Sequence, residues 1–181
     1  METFSQLYFL LNFRGFLVVT TKIKMDIKYT DKEIDQLIKE RKSVPEGWRE
    51  QIKLSRKGGH REYDLDIQGE YGNMFRLKLR QSVERTLNFS AILAVLRRQK
   101  SNEFFRLLRY NGIHAPHTNP IEGNSFDAYH IHRATERYQK SENKKEDKYA
   151  EVTTRYGDFS GALDCLIEDA GFPSEPQLSL L

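Results

Sequence analysis

A single cysteine, Cys165, rules out a disulfide within the chain and suits a reducing compartment such as the cytoplasm. Long apolar runs are also missing. Residues 4–20 come nearest, but Asn12, Arg14 and Gly15 interrupt them, and a membrane helix needs roughly 18 or more clean apolar residues. Nor does this stretch have the flanks of a signal peptide. Glu2 precedes it, and Lys22, Ile23 and Lys24 follow where small residues belong. Other motif classes are absent too: the chain contains no G-x-x-x-x-G-K-[ST], G-x-G-x-x-G, G-x-S-x-G or C-x-x-C. ATP-driven chemistry and nucleotide cofactors are therefore not expected.

The net charge is only +3, but it is unevenly spread. Between Arg76 and Arg109 nine Lys or Arg stand against two Glu, Glu84 and Glu103. Arg97, Arg98, Arg106 and Arg109 from this segment, with Arg133 beyond it, are candidates for a phosphate-binding face.

Met25 begins a conventional domain start, MDIKYTDKEIDQLIKERK. Residues 1–24 are read as an extension outside the domain, with Met1 and Met25 both open as starts. Residues 25–172 are read as one domain and 173–181 as a disordered tail. Thr30 and Glu33 form a T-x-x-E capping box, and Ile34, Leu37 and Ile38 recur at helical spacing, so a helix is expected over 31–43. Residues 62–68 and 74–81 alternate strictly. Pairing Gln68 with Met74 sets Ile67 against Phe75 and Leu65 against Leu77. It also sets Asp66, Asp64 and Glu62 against Arg76, Lys78 and Arg80, and a slip of one residue loses both patterns. Residues 89–96 read as a covered central strand, 104–110 and 125–134 as further strands, and 149–156 as a short last one. The charged run 139–148 reads as a mobile loop. Asp158 caps a final amphipathic helix that Gly171 ends, with Cys165 packed beside its apolar stripe. The expected fold is α+β: an antiparallel meander of five to six strands with an N-terminal and a C-terminal helix packed on the sheet.

Four of the five histidines fall between His114 and His132, as H-x-x-H and H-x-H. On a strand, His130 and His132 point the same way. Three uses stay open. His114, His117, His130 and His132 could converge on zinc. An imidazole pair could serve as acid and base without a metal. The rings could instead shape a recognition loop.

The motifs R-Y-N-G from Arg109, His114, H-T-N from His117, I-E-G from Ile121 and H-I-H-R-A-T-E-R-Y-Q from His130 resemble a family of uncharacterised small bacterial proteins. The likeness runs on through Tyr149-Ala150-Glu151, Arg155-Tyr156 and the last helix, covering roughly 48–172. A looser similarity, at the His-rich end of a small sheet, links it to toxin components of toxin–antitoxin pairs.

These features together make a metal-independent ribonuclease of the toxin kind the leading expectation. His130 and His132 would act as base and acid, Arg137 would hold the phosphate, and Glu136 would orient an imidazole, with His117 in reserve if its loop folds back. The alternatives are a binding module for nucleic acid or for an acidic partner such as an antitoxin, and a His-cluster metal protein.

Overall fold

The computed structural model describes residues 29–97, 103–139 and 145–173. The extension at 1–24, the start at Met25, Arg98 and the tail beyond Pro173 lie outside them. Among the described residues no helix is long and apolar enough to cross a membrane.

The fold is α+β, as expected. Helix α1 (Asp31–Lys39) opens on the capping box. Thr30 Oγ1 accepts from the Glu33 N–H, and the Glu33 carboxylate accepts from the Thr30 N–H. The helix ends before 43 because the chain turns into strand β1 (Lys42–Ser43). There the Lys42 ammonium donates to the Leu37, Ile38 and Glu40 carbonyls at 2.7–2.8 Å, a cation where the helix dipole favours one.

The following elements are β2 (Ser55–Lys57), β3 (His60–Gly69), β4 (Met74–Ser82), β5 (Phe89–Leu96), β6 (Phe104–Asn111), β7 (His117–Asn119), β8 (Asn124–Phe126), β9 (His130–Arg133), α2 (Glu136–Gln139), β10 (Ala150–Val152) and α3 (Phe159–Asp169). Eight strands make one antiparallel sheet, ordered β1-β3-β4-β5-β6-β9-β10, with β2 also pairing with β3. Strands β7 and β8 form a separate hairpin.

The β3–β4 register is the one that charge and hydrophobicity specify. Gln68 pairs with Met74, Ile67 with Phe75, Asp66 with Arg76, Asp64 with Lys78 and Glu62 with Arg80. Gly69 closes this hairpin where no side chain fits, since a Cβ there would lie 2.0 Å from Glu40 Oε1.

One sheet face carries Phe75, Leu77, Leu79, Ala91, Leu93, Val95 and Phe105, all buried. Ile34 and Ile38 of α1 and Leu163 and Leu166 of α3 complete this core, each large side chain contributing roughly 1.5–3 kcal/mol by burial. Helix α3 starts at its Asp158 cap, where Oδ1 accepts from the Gly161 N–H at 2.8 Å. It is followed by Gly171 at φ 66°, and Cys165 is buried as expected. Strand β5 differs from expectation. The helices cover only one of its faces, and Ser90 and Ile92 on the other are half-buried.

A bulge shapes the uncovered face. Strands β5 and β6 pair Leu93 with Leu108 but Ala94 with Arg106, leaving Leu107 as an extra residue. In a regular strand residues three apart point to opposite faces. The bulge turns Arg106 and Arg109 to the same side, and the Leu107 carbonyl accepts from the Ala134 N–H at 2.9 Å.

Candidate metal centre

Strand β9 lies between β6 and β10, pairing Arg109 with His132 and Asn111 with His130. Those four side chains share the uncovered face. The β7–β8 hairpin folds back over them through Asn119. Asn119 Nδ2 donates to the Ala150 carbonyl at 2.8 Å, and its Oδ1 accepts from the Ala150 N–H at 2.9 Å. The side chain thus pairs with the edge strand β10 as a neighbouring strand would. His117 is carried to 4.6 Å from His132 and 5.3 Å from His130, ring centre to ring centre.

His117, His130 and His132 are all buried, and one ring nitrogen of each lies within 4.8 Å of the other two. Each ring also has a nitrogen engaged with an oxygen. His130 Nδ1 donates to the Ala128 carbonyl at 2.6 Å, and His132 Nδ1 to the Asp147 carbonyl at 2.9 Å. The Ala150 contacts fix which atom of Asn119 is oxygen, so His117 Nε2 donates to Asn119 Oδ1 at 3.0 Å. The lone pairs therefore fall on His117 Nδ1, His130 Nε2 and His132 Nε2.

Asn111 Nδ2 stands 3.3 and 3.2 Å from His130 Nε2 and His132 Nε2, while its Oδ1 is buried without a hydrogen-bond partner. The Tyr156 hydroxyl braces this end of the β6–β9 pair, 3.1 and 2.9 Å from the Asn111 and His130 carbonyl oxygens.

Burial disfavours the charged imidazole and lowers all three histidines from their ordinary range, His130 to about 4. For His132 the positive Arg109 adds to that effect. Three neutral rings, each held by an oxygen acceptor, are of the kind that could hold a first-row divalent ion.

The other residues singled out in the sequence sit as follows. His114 is exposed and stacks on His130 at 5.9 Å. Arg137 pairs with Glu122 and lies over the Tyr149 ring at 4.9 Å. Glu136 opens α2, and its N–H donates to Asp31 of α1 at 2.8 Å. Arg133 pairs with Asp35 of α1. Arg97 lies over Phe105 of the core face and pairs with Glu146 at 3.6 Å. Arg106 and Arg109 face the uncovered side and flank Asp147, at 3.6 and 3.1 Å. Of the basic residues proposed for one face, the described structure brings Arg106 and Arg109 together there.

A family model matches residues 29–164, a span that holds the whole histidine cluster. The chain belongs to DUF6978, a family of unknown function. The DUF6978 match begins earlier than the likeness read from the motifs and ends within α3. No curated protein and no solved structure matches.

Asn111, Asn119 and Asp147 were not legible as site residues. The first two sit in R-Y-N-G and H-T-N-P, where Asn signals a turn. Asp147 lies in the charged run expected to form a mobile loop, yet it is 1% exposed.

Proposed function

We propose that this protein binds a zinc-class divalent ion through His117, His130 and His132 and uses it as a Lewis acid. The observation that carries the reading is the set of three buried imidazoles whose outer nitrogens are already committed to oxygen acceptors. Such acceptors fix ring orientation and raise ligand basicity. Three histidines with an open fourth position are a catalytic rather than a structural donor set. Asn111 supports it from the other side. Half a turn of its amide would take the Nδ2 donor off the His130 and His132 nitrogens and leave the unpartnered Oδ1 to accept from a water held at that open position. Elemental analysis of protein purified without a histidine tag tests the reading. About one equivalent of zinc, cobalt, nickel, iron or manganese is expected, lost in His130→Gln and His132→Gln. No retained ion, together with no thermal stabilisation by any of these ions, would sink it.

Ribonuclease action by the imidazoles alone is the second reading. In its favour, His130 Nε2 and His132 Nε2 address one amide, so a single phosphate could meet both. It needs one ring protonated at working pH, whereas burial keeps both neutral, which favours the ion as electrophile. Incubation with labelled RNA in EDTA separates the two. Products ending in 2′,3′-cyclic phosphate, lost in His130→Ala and His132→Ala, would establish the metal-free route.

A further inference from the structure

We propose that the groove on the uncovered face binds the phosphate backbone of a nucleic-acid strand, and that this strand is what the metal centre works on. The inference rests on the proposed centre for its chemistry, while the binding itself needs no ion.

The groove encloses about 730 Å³ and is lined by six cations from three elements. Lys78 and Arg80 come from β4, Arg106 and Arg109 from β6, and Lys145 and Lys148 from the segment before β10. The carboxylates among them are few. Asp147 is in the lining, and Glu62 and Asp64 reach Lys78 and Arg80 from the rim at 3.3–3.8 Å. Cations therefore outnumber carboxylates two to one. Among the described residues the rest of the lining is Ser90, Ile92 and Pro120, with no aromatic ring on which a base could stack. Recognition would then run through backbone charge rather than through bases.

Asp147 is the second observation. Its carboxylate is buried between two guanidiniums, yet both of its oxygens and Arg109 Nε lack hydrogen-bond partners. Charge alone holds it there, and hydrogen-bonding capacity is left unused. A phosphodiester can accept from such donors in bidentate geometry. The position also suits chemistry: Arg109 pairs across the sheet with His132, and the Asp147 carbonyl holds the His132 ring. An anion on Arg109 would thus lie beside the centre whose Lewis acidity acts on phosphoryl oxygens. That adjacency favours a phosphodiester over the carboxylates of an acidic peptide.

The test is titration of labelled single-stranded RNA of about 15 nucleotides, a usual site size, in EDTA at several salt concentrations, with polyglutamate as a parallel ligand. Four phosphate contacts give a slope of log K against log salt of about −3. Lys145→Glu with Lys148→Glu should weaken binding at least about tenfold and flatten the slope by about 1.4, while the melting curve stays cooperative. Should that pair fail to fold, Lys78→Gln replaces it, with a slope change of about half that size. RNA binding is read in EDTA and ion retention by elemental analysis of the same native protein, so loss of the metal reading and loss of the groove reading are seen separately. The proposal is overturned if RNA does not bind, if the charge variants bind it as well as the native protein, or if polyglutamate binds and RNA does not. The last result would point to an acidic protein partner.

Discussion

His132 Nδ1 donates to the Asp147 backbone oxygen across 2.9 Å, while the Asp147 carboxylate sits 3.1 Å from Arg109. One residue thus orients a candidate ligand with its main chain and offsets the Arg106 and Arg109 charges with its side chain. Substitutions at Asp147 keep the first role and alter the second, because the carbonyl survives any change of side chain.

Asn119 supports the centre in a way that can be measured apart from the fold. Its Oδ1 accepts from both His117 and Ala150. Asn119→Ala should lower ion affinity by about 10–100-fold, the usual cost of losing an outer-shell partner. It should also cost roughly 1–3 kcal/mol of stability, because the Ala150 N–H and carbonyl lose their partners. Asn119→Asp keeps the acceptor and should retain more of the ion affinity. A competition titration against a coloured chelator reads the first effect, and thermal melts read the second. Equal ion affinity in all three proteins would show that His117 needs no orienting.

The ion-free protein should lose stability in mild acid. The ordinary value of His130 is 6.5, and burial lowers it to about 4 in the fold. As pH drops from 6.5 towards 4, the unfolded chain takes up a proton that the folded chain refuses. The unfolded state then binds more protons, so the His130 contribution to stability falls through that window and levels off below it. At about 1.4 kcal/mol per pH unit, the loss approaches about 3 kcal/mol. Urea midpoints measured in EDTA between pH 7 and pH 4 would show it, and His130→Gln should make the curve shallower, with the lowered His132 and His117 keeping the remaining slope. A native curve as flat as that of the variant would mean the ring is not held neutral.

The β3–β4 turn should tolerate no side chain at Gly69. A Cβ there would meet Glu40 Oε1 and, at 2.6 Å, the Phe75 ring. Glu40 cannot move freely, since its carboxylate accepts from the Tyr71 N–H and from Asn73 Nδ2 at 2.9 and 2.7 Å. Gly69→Ala should cost about 1–3 kcal/mol, the usual range for overpacking. A urea midpoint shifted down at constant slope would be the expected record.

Much of this framework is legible because local and long-range signals agree. The alternation in 62–68 and 74–81 carries charge on one face and apolar groups on the other, so a single register satisfies both. Thr30 with Glu33, and Asp158, are helix starts whose chemistry is complete within three residues. H-x-H on a strand puts two rings on one face whatever the tertiary fold. The rest depends on contacts between distant residues. The bulge at Leu107 leaves no mark in F-F-R-L-L-R, although it decides that Arg106 and Arg109 face the same way. Asn119 becomes a docking group only because β10 begins at its side, and Asp147 is buried only because Arg106 and Arg109 await it. Arg133 and Arg137 show the converse. Their guanidiniums were expected to hold phosphate, and in the fold they pair with Asp35 and Glu122.

Asp147→Asn offers the sharpest test of how the groove is built. The native carboxylate is the counter-charge for Arg106 and Arg109, whose side chains are 41% and 25% exposed. Removing one member of a fully buried pair costs about 3–5 kcal/mol, and partial access of water to the guanidiniums should reduce this to roughly 1–2 kcal/mol. Millimolar inorganic phosphate should then restore the missing charge, raising the melting temperature of the variant more than that of the native protein. The same change removes a negative charge from beneath the groove, so single-stranded RNA should bind the variant several-fold more tightly than the native protein at equal salt. A variant that melts like the native protein, gains nothing from phosphate and binds RNA no better would show that Asp147 does not guard the two arginines.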